Sequence, residues 1–381
     1  MGARLIVVGG GITGVSIARE LVLRGHEVLL LDKDGLGSAV TGASLACIGT
    51  HMNSRSEIEI LKWAADAWRD LDQRLGKTME YQNCGQLRFL ERPDDRRVAK
   101  EWIDFETRVG VQSQLLEPSE VRRIEPLLEG PIEAATFAPN AVTVTPFLAV
   151  RAIVRDAMEH NLEVRLRTAV RHLELKNGAV SAVATADGKL ACDGVILASG
   201  PWTRELAKTA GLDIPIQPRK AQCLASVRKP PLIRTVIAAC ESAGGVAAGY
   251  TQIQQAPSGQ ILFNTVLAGG LSDAGAQDHI PSVDPDFVRN SIRQLLWLFP
   301  SLSNLELLRS WVRYEAVTPD DRFLVGATAV PNLYVAAGDN GSGFGRAPAI
   351  ARTIADLIDG KAPPFDASVW SPSRFRTAQA A

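Results

Sequence analysis

Residues 5–14 read "LIVVGGGITG", a short apolar run that ends in a glycine-rich turn. Gly9, Gly11 and Gly14 fit the pattern G-x-G-x-x-G. In this pattern the first glycine permits a tight turn, the second lets the backbone approach a pyrophosphate, and the third lets a helix pack closely on a strand. The run is too short and too rich in glycine for a signal peptide. We therefore interpret it as a buried strand that leads into a helix.

A second strand completes this unit. Residues 15–24 have a helical pattern, and "EVLLLD" (27–32) is an apolar strand that ends at Asp32. Asp32 lies 18 residues after Gly14, close to the spacing of about 20 residues for the acid that binds the ribose hydroxyls of a dinucleotide. An acid at this position favours an unphosphorylated ribose, as in FAD or NAD.

The choice between FAD and NAD depends on the far end of the chain. Residues 332–358 predict a strand, a glycine-rich loop and a long amphipathic helix. Such a loop presents free backbone N–H groups at a second helix N-terminus, which makes a second anion site. "CDGVILASGPW" (192–202) predicts another buried strand of the same sheet. Two nucleotide-type loops favour FAD, because its ribityl and pyrophosphate groups extend between two such ends.

The segments between these nucleotide-binding pieces have a different sequence pattern. "GYTQIQQAPSGQILFNTV" (249–266) predicts two strands around a turn, and "DPDFVRNSIRQLLWLF" (284–299) predicts a helix. We therefore predict an α/β fold in which a Rossmann-like FAD-binding domain is interleaved with an α+β substrate domain built on an antiparallel sheet. The predicted boundaries are 1–77, 138–217 and 309–381 for the FAD-binding domain, and 78–137 and 218–308 for the substrate domain.

The composition limits the class of protein. The chain has 381 residues, of which 46% are apolar and 22% charged, as in soluble globular enzymes. A formal net charge of −1 argues against a nucleic-acid partner. Five scattered cysteines without a CxxC pair predict reduced thiols in the cytoplasm, with neither a disulfide framework nor a metal site. No apolar run is long enough to predict a transmembrane segment.

Several stretches, taken in order, resemble one known family: the flavin-dependent amine and amino-acid oxidoreductases, which include glycine oxidase, monomeric sarcosine oxidase, dimethylglycine dehydrogenase and D-amino-acid oxidase. The resemblance covers nearly the whole chain. It rests on "VVGGGITG", "GASLACIGTH", "CGQLRFL", "VILASGPWT", "PRKAQCL", "SGQILF", "TPDDRFLVG" and "NLYVAAGDNGSGFGRAPA".

The resemblance implies that FAD binds in an extended form, with its isoalloxazine ring between the two domains. The substrate gives a hydride from its α C–H to flavin N5 and leaves an imine that water hydrolyses. The motifs and the resemblance together predict the following FAD-binding residues: Gly9, Gly11, Ile12, Thr13, Gly14, Asp32, Lys33, Val40, Thr41, Leu45, Ala46, Cys47, Val170, Ala198, Gly200, Trp202, Gly338, Asp339, Asn340, Gly341, Ser342, Gly343, Phe344 and Gly345.

The substrate side departs from the family. Glycine and D-amino-acid oxidases bind the substrate carboxylate with an arginine whose position falls on Glu315, and a second pocket arginine of glycine oxidase falls on Gly341. The cysteine that tethers FAD in sarcosine oxidases falls on Arg313, so this link cannot form. A tyrosine that clamps the carboxylate falls on Gln252, although Tyr250 lies two residues earlier on the same strand face.

Three interpretations of the substrate side remain open. Glu315 binds a cationic group of the substrate, as in opine-type or basic D-amino acids. Alternatively, Glu315 pairs with Arg313, and the carboxylate is bound by Arg313 itself or by another arginine, Arg55 or Arg346. Finally, the chain is a subunit that passes electrons to a partner subunit in a heteromeric dehydrogenase. The predicted catalytic residues are Glu315, Tyr250, Gln252, His51 and Arg313.

The predicted function is FAD-dependent oxidation of the CH–NH bond of an amino acid or of an N-substituted amino acid of the opine, D- or N-methyl type. Two alternatives are a 2-hydroxy-acid oxidoreductase and an FAD-binding subunit that mainly assembles with a partner.

Overall fold

The computed structural model describes residues 2–240, 249–267 and 280–375. The strands in these ranges are β1 (Arg4–Val8), β2 (Glu27–Leu31), β3 (Cys47–Ile48), β4 (Gln82–Asn83), β5 (Gln86–Leu90), β6 (Gln114–Leu116), β7 (Ala134–Ala138), β8 (Val142–Thr143), β9 (Glu163–Arg165), β10 (His172–Lys176), β11 (Ala179–Thr185), β12 (Gly188–Ala191), β13 (Gly194–Leu197), β14 (Gln217–Arg228), β15 (Val236–Ala239), β16 (Gly249–Gln255), β17 (Gln260–Leu267), β18 (Leu307–Val317), β19 (Leu324–Ala327) and β20 (Leu333–Ala337).

The α-helices in the same ranges are α1 (Ile12–Leu23), α2 (Val40–Ala43), α3 (Ile58–Arg74), α4 (Asp95–Arg108), α5 (Pro118–Ile124), α6 (Pro146–Glu159), α7 (Thr203–Lys208), α8 (Pro285–Leu298) and α9 (Gly343–Ile358). None of them combines the length and the apolar character that crossing a membrane requires.

A six-stranded sheet combines strands from the first 31 residues with strands from the last part of the chain, in the order β19-β20-β13-β1-β2-β9. Its strands pair in parallel, except that β19 is antiparallel to β20. Leu5 and Val7 of β1 join a buried core with α1, α6 and α9, while Ile6 and Val8 join a core on the opposite face. Because both faces are covered, β1 is apolar throughout instead of alternating. The predicted βαβ unit is confirmed.

The second large sheet has eight strands in the order β18-β14-β17-β16-β15-β5-β7-β6. It is antiparallel apart from the parallel pair β15 and β5. Helix α8 packs on it through Phe287, Leu295 and Leu298. The predicted fold class is confirmed, whereas the domain boundaries stay a prediction. Strand β18, most of which the predicted boundary at 309 assigns to the FAD-binding part, pairs into the eight-stranded sheet with β14.

Candidate active site

A cavity of about 520 Å³ lies at the carboxyl ends of β1, β2, β13 and β20. In open α/β sheets this edge is where ligands bind, because the loops that follow the strands diverge there. The predicted FAD-binding residues that line it are Gly9, Gly11, Ile12, Thr13, Asp32, Lys33, Val40, Thr41, Val170, Ala198, Gly200, Trp202, Gly338, Asp339 and Gly343.

The glycine turn after β1 leaves no room for side chains. Gly9 has a φ of +117°, and a Cβ there would lie 2.4 Å from the carbonyl oxygen of Ala198. A Cβ on Gly14 would lie 1.9 Å from the carbonyl oxygen of Gly9. Gly14 does not line the cavity, so its part is to let α1 pack against the turn that lines it.

Asp32 follows β2 and hydrogen-bonds to the glycine turn. Its carboxylate accepts hydrogen bonds from the N–H groups of Gly10 at 2.7 Å and Asp34 at 2.8 Å. Burial raises the pKa of Asp32, although these two N–H donors lower it. The carboxylate lines the cavity with acceptor capacity to spare, which suits the two hydroxyls of a ribose.

Trp202 supplies a further test of whether a polar ligand fits this cavity. Its ring lies beneath the ammonium group of Lys33, 4.6 Å from the ring centroid. The indole Nε1–H is buried and has no hydrogen-bond partner in the described part of the chain. Buried donors without a partner are rare and costly, and an oxygen or nitrogen of a bound cofactor would satisfy this one. The residues present therefore fit FAD.

A second cavity, of about 380 Å³, adjoins the first. Both are lined by Ile12, Val40, Thr41, Asp339 and Gly343, so together they form one elongated space of the kind that an extended dinucleotide needs. Apart from Gly14, the other predicted FAD-binding residues line the second cavity: Leu45, Ala46, Cys47, Asn340, Gly341, Ser342, Phe344 and Gly345.

The loop between β20 and α9 is fixed by the "TPDD" turn. Asn340 has a φ of +45°, and its side chain accepts a hydrogen bond from the Thr318 N–H at 3.0 Å and donates one to the Gly338 carbonyl at 2.7 Å. Its own N–H donates to the carbonyl of Ala316. The motif thus holds the loop that is predicted to bind the cofactor against the end of β18.

Glu315 lies in β18 opposite Arg219 of β14. Glu315 is 4% exposed, and the Nε of Arg219 donates to its Oε1 at 2.5 Å. Arg313 instead donates to the carbonyls of Ser38 and Val312 and is absent from the residues that line the second cavity. The alternative in which Glu315 pairs with Arg313 is therefore wrong, because a residue directly opposite on the neighbouring strand is closer than one two positions along the same strand.

The electrostatics of this pair are unusual. Burial raises the pKa of Glu315 from its usual 4.5 to about 7, since the attraction of Arg219 is outweighed and the charge of Asp339 adds to the rise. Burial also raises the pKa of Asp339, to about 6. For Arg219, burial opposes the charged form, but the charge of Glu315 prevails and the pKa is raised. The pair thus combines a permanent cation with a carboxyl group that titrates near neutral pH.

Tyr250 and Gln252, both in β16, line the second cavity as predicted. Burial raises the pKa of the Tyr250 hydroxyl, and the neighbouring charge of Glu315 adds to the rise. Gln252 donates to Gln254 at 2.9 Å, which in turn donates to the carbonyl of Leu45 at 2.7 Å. This chain of hydrogen bonds ties the wall of the eight-stranded sheet to the segment predicted to lie along the flavin.

His51 lies elsewhere. Its side chain is 1% exposed, and its ring nitrogens hydrogen-bond to Glu106 at 2.9 Å and to Thr136 at 2.7 Å. Burial lowers the pKa of His51 despite the hydrogen bond to Glu106. It lines neither cavity, so its contacts are those of a buried structural network, and the catalytic role of His51 stays a prediction.

Arg346 and Arg55, the other arginines considered for binding the carboxylate, also make their contacts outside the two cavities. Arg346 forms a buried ion pair with Glu57 at 2.5 Å, and the guanidinium of Arg55 lies 4.6 Å from the ring centroid of Trp102. The sequence analysis missed Arg219. It is part of the quoted stretch "PRKAQCL", but the register of β14 against β18, which brings it to Glu315, cannot be deduced from that stretch.

A model of the FAD-dependent oxidoreductase family DAO matches residues 4–357. The chain belongs to the DAO family. It is 28% identical over 98% of its length to 4-methylaminobutanoate oxidase (formaldehyde-forming) of Paenarthrobacter nicotinovorans, but spans only 45% of that relative. It is 26% identical to glycine oxidase of Pseudomonas aeruginosa, covering 98% of this chain and 99% of the relative. This DAO-family protein is therefore an FAD-dependent oxidoreductase.

Among solved structures, the protein is similar to L-proline dehydrogenase from P. horikoshii. The two superpose with a TM-score of 0.90 and 27% identity, over 99% of this chain and 98% of the other. At 99% coverage the likeness includes the strands of both large sheets.

Proposed function

We propose that this DAO-family protein oxidises the CH–NH bond of an amino acid or of an N-substituted amino acid of the opine, D- or N-methyl type. The second cavity is the observation that carries the proposal. On one side it has the loop 339–345, which is predicted to hold the flavin, and on the other it has Arg219, Tyr250, Gln252 and Glu315 from the eight-stranded sheet. When bound, FAD supplies the hydride acceptor.

The chain's own residues have two tasks in this reaction. They hold the substrate so that its α carbon faces the cofactor, which removes most of the entropic cost of the step. They also receive the proton of the substrate ammonium, because the nitrogen lone pair must be free before the hydride leaves. Glu315 suits this second task, since burial raises its pKa to about 7, near the pH at which it has to act as a base.

The test is flavin bleaching of the purified holoenzyme without oxygen. D-amino acids, N-methyl amino acids and opine-type amino acids are each mixed with the protein, alongside the matching 2-hydroxy acids. The proposal expects at least one amino acid to bleach the flavin and the 2-hydroxy acids to leave it oxidised. Bleaching by 2-hydroxy acids alone would replace the proposal with a 2-hydroxy-acid oxidoreductase.

A partner subunit and a cytoplasmic location, both expected from the sequence, belong to the same proposal. If dithionite reduces the bound FAD but no amino acid does, the isolated chain lacks activity and its main role is to assemble with a partner. If amino acids reduce it but oxygen does not reoxidise it, electrons leave through another acceptor, which an artificial quinone or dye can replace in the assay.

A further inference from the structure

Within the described part of the chain, two arginines line the second cavity, Arg88 and Arg219. The guanidinium of Arg88 donates to the carbonyl oxygens of Ala239 and His51, each at 3.3 Å. Arg219 uses only its Nε, which donates to Glu315. Among the described residues no hydrogen bond engages its Nη1 or Nη2. One edge of a largely buried cation is thus fixed, and its two terminal nitrogens remain available to a ligand.

The location of these nitrogens is set by the neighbouring loop. Nη2 of Arg219 lies 4.0 Å from the point that a Cβ on Gly341 would occupy, and the same point lies 2.9 Å from Oε2 of Glu315. Gly341 belongs to the loop predicted to hold the flavin. The absence of a side chain at 341 therefore leaves room for Glu315 and for whatever Arg219 binds.

The register of the two strands explains how a cation reaches this place without an arginine at 315. Arg219 and Glu315 are directly opposite each other in the antiparallel ladder of β14 and β18, so their side chains project from the same face of the sheet. The resemblance expects an arginine at 315. Here an arginine on the neighbouring strand covers the same area, and the residue at 315 is its acidic partner.

We propose that Arg219 binds the substrate carboxylate through Nη1 and Nη2, and that Glu315, besides acting as the base, orients the guanidinium of Arg219. This inference rests on the proposed function, which supplies an amino-acid substrate. Two parallel N–H donors match the two oxygens of a carboxylate. Glu315 then faces the other charged end of the substrate, so the site selects zwitterions over dicarboxylates, whose second anion Glu315 repels.

The experiment measures binding of propionate to the oxidised holoenzyme at pH 8, followed by the change in flavin absorbance. Propionate carries the carboxylate and has no amine, so nothing turns over. Arg219→Gln should weaken propionate binding by about 30-fold or more, the lower range for removing one partner of a buried charge pair. Arg219→Lys retains the charge but loses the two parallel N–H donors, so it should weaken propionate binding less than Arg219→Gln does. Lys220→Gln, on the same strand with its partner Asp284, should bind propionate as the wild type does.

Two variants of Glu315 separate a positioning role from mere structural support. Glu315→Gln keeps an acceptor for the Nε of Arg219 and removes a competing anion, so propionate should bind more tightly at pH 8. Glu315→Ala removes the acceptor as well, so propionate should bind more weakly than to Glu315→Gln. Equal binding by these two variants would overturn the positioning role.

Other results would contradict the proposal that Arg219 binds the substrate carboxylate. Wild-type affinity in Arg219→Gln would overturn it, as would a loss of propionate binding confined to Arg88→Gln. If Arg219→Gln does not retain FAD, the test is made with Arg219→Lys. Wild-type affinity for propionate in Arg219→Lys would also contradict bidentate binding of the carboxylate by Arg219. Failure of the proposed function is distinguishable, since it would leave propionate binding dependent on Arg219 while no amino acid bleaches the flavin.

Discussion

Replacing Glu315 with glutamine should make the protein more stable at alkaline pH. Glu315 is 4% exposed, and the pKa of its carboxyl group is raised from 4.5 to about 7 in the folded protein. The folded state therefore holds this proton more tightly than the unfolded chain does. At about 1.4 kcal/mol for each pH unit between the two pKa values, ionised Glu315 reduces the free energy of unfolding by at most about 3 kcal/mol.

The pH dependence follows from the same difference. Below pH 4.5 the group is protonated in both states and contributes no penalty. As the pH rises from 4.5 towards 7, the unfolded chain ionises first. The free energy of unfolding therefore falls across this window. Glutamine has no proton to lose. Glu315→Gln should thus exceed the wild type in stability at pH 8, and the advantage should shrink as the pH falls towards 5.

Glu57→Gln is the matched control, because Glu57 is also 4% exposed and also pairs with an arginine. Its carboxylate accepts hydrogen bonds from Arg346 and from the indole of Trp370, each at 2.5 Å. Burial would raise the pKa of Glu57, but these partners lower it. A lowered pKa stabilises the folded state above pH 4.5 and loses this effect as the pH falls. Glu57→Gln should therefore destabilise the protein at pH 8, by up to about 3–5 kcal/mol.

The assay is equilibrium unfolding of the substrate-free holoenzyme in urea at pH 5.5 and pH 8, with free FAD held constant so that ligand linkage is the same throughout. The reasoning predicts shifts of opposite sign for the two variants at pH 8. If Glu315→Gln is destabilised as Glu57→Gln is, the pair with Arg219 is ordinary structural support, and the raised pKa of Glu315 is wrong.

Three further substitutions test the cofactor and structural assignments. Trp202→Phe keeps the ring but removes the unpartnered Nε1–H, so the dissociation constant of FAD should rise about 3- to 10-fold in a fluorescence titration; an unchanged value would mean that FAD does not accept from this group. Gly14→Ala puts a methyl group 1.9 Å from the Gly9 carbonyl and should yield protein without FAD, whereas normal FAD content would contradict the proposed packing of the turn. His51→Gln should retain kcat and KM but lose about 1–3 kcal/mol in urea unfolding, because Glu106 loses a buried partner; reduced kcat at normal stability would restore a catalytic role.

The nucleotide-binding half was predictable because its signals are local. The spacing of Gly9, Gly11, Gly14 and Asp32 constrains one βαβ unit within the first 32 residues. The loop at 338–345 is recognisable in the sequence by its glycines. Each of these features depends on neighbours close in sequence, and the structure places nearly all the predicted cofactor residues along two adjoining cavities.

The substrate side was less predictable because it depends on contacts distant in sequence. Glu315 was identified as the residue that departs from the family, but its partner Arg219 lies 96 positions away and is fixed only by the ladder of β14 and β18. Arg313 was nearer in sequence and shares the face of the strand, yet it hydrogen-bonds to Ser38. His51 adjoins the segment predicted to face the flavin, but its side chain hydrogen-bonds to the buried Glu106.

The central claim is that this chain holds FAD beside a cavity in which an amino acid is oxidised at its CH–NH bond. A single turnover without oxygen tests it most directly: holoenzyme in excess is mixed with the amino acid that best bleaches the flavin, and the carbonyl product and released amine are both quantified. The account predicts one carbonyl and one amine for each FAD reduced. Reduction of FAD without release of an amine, or reduction by the 2-hydroxy analogue alone, would contradict it.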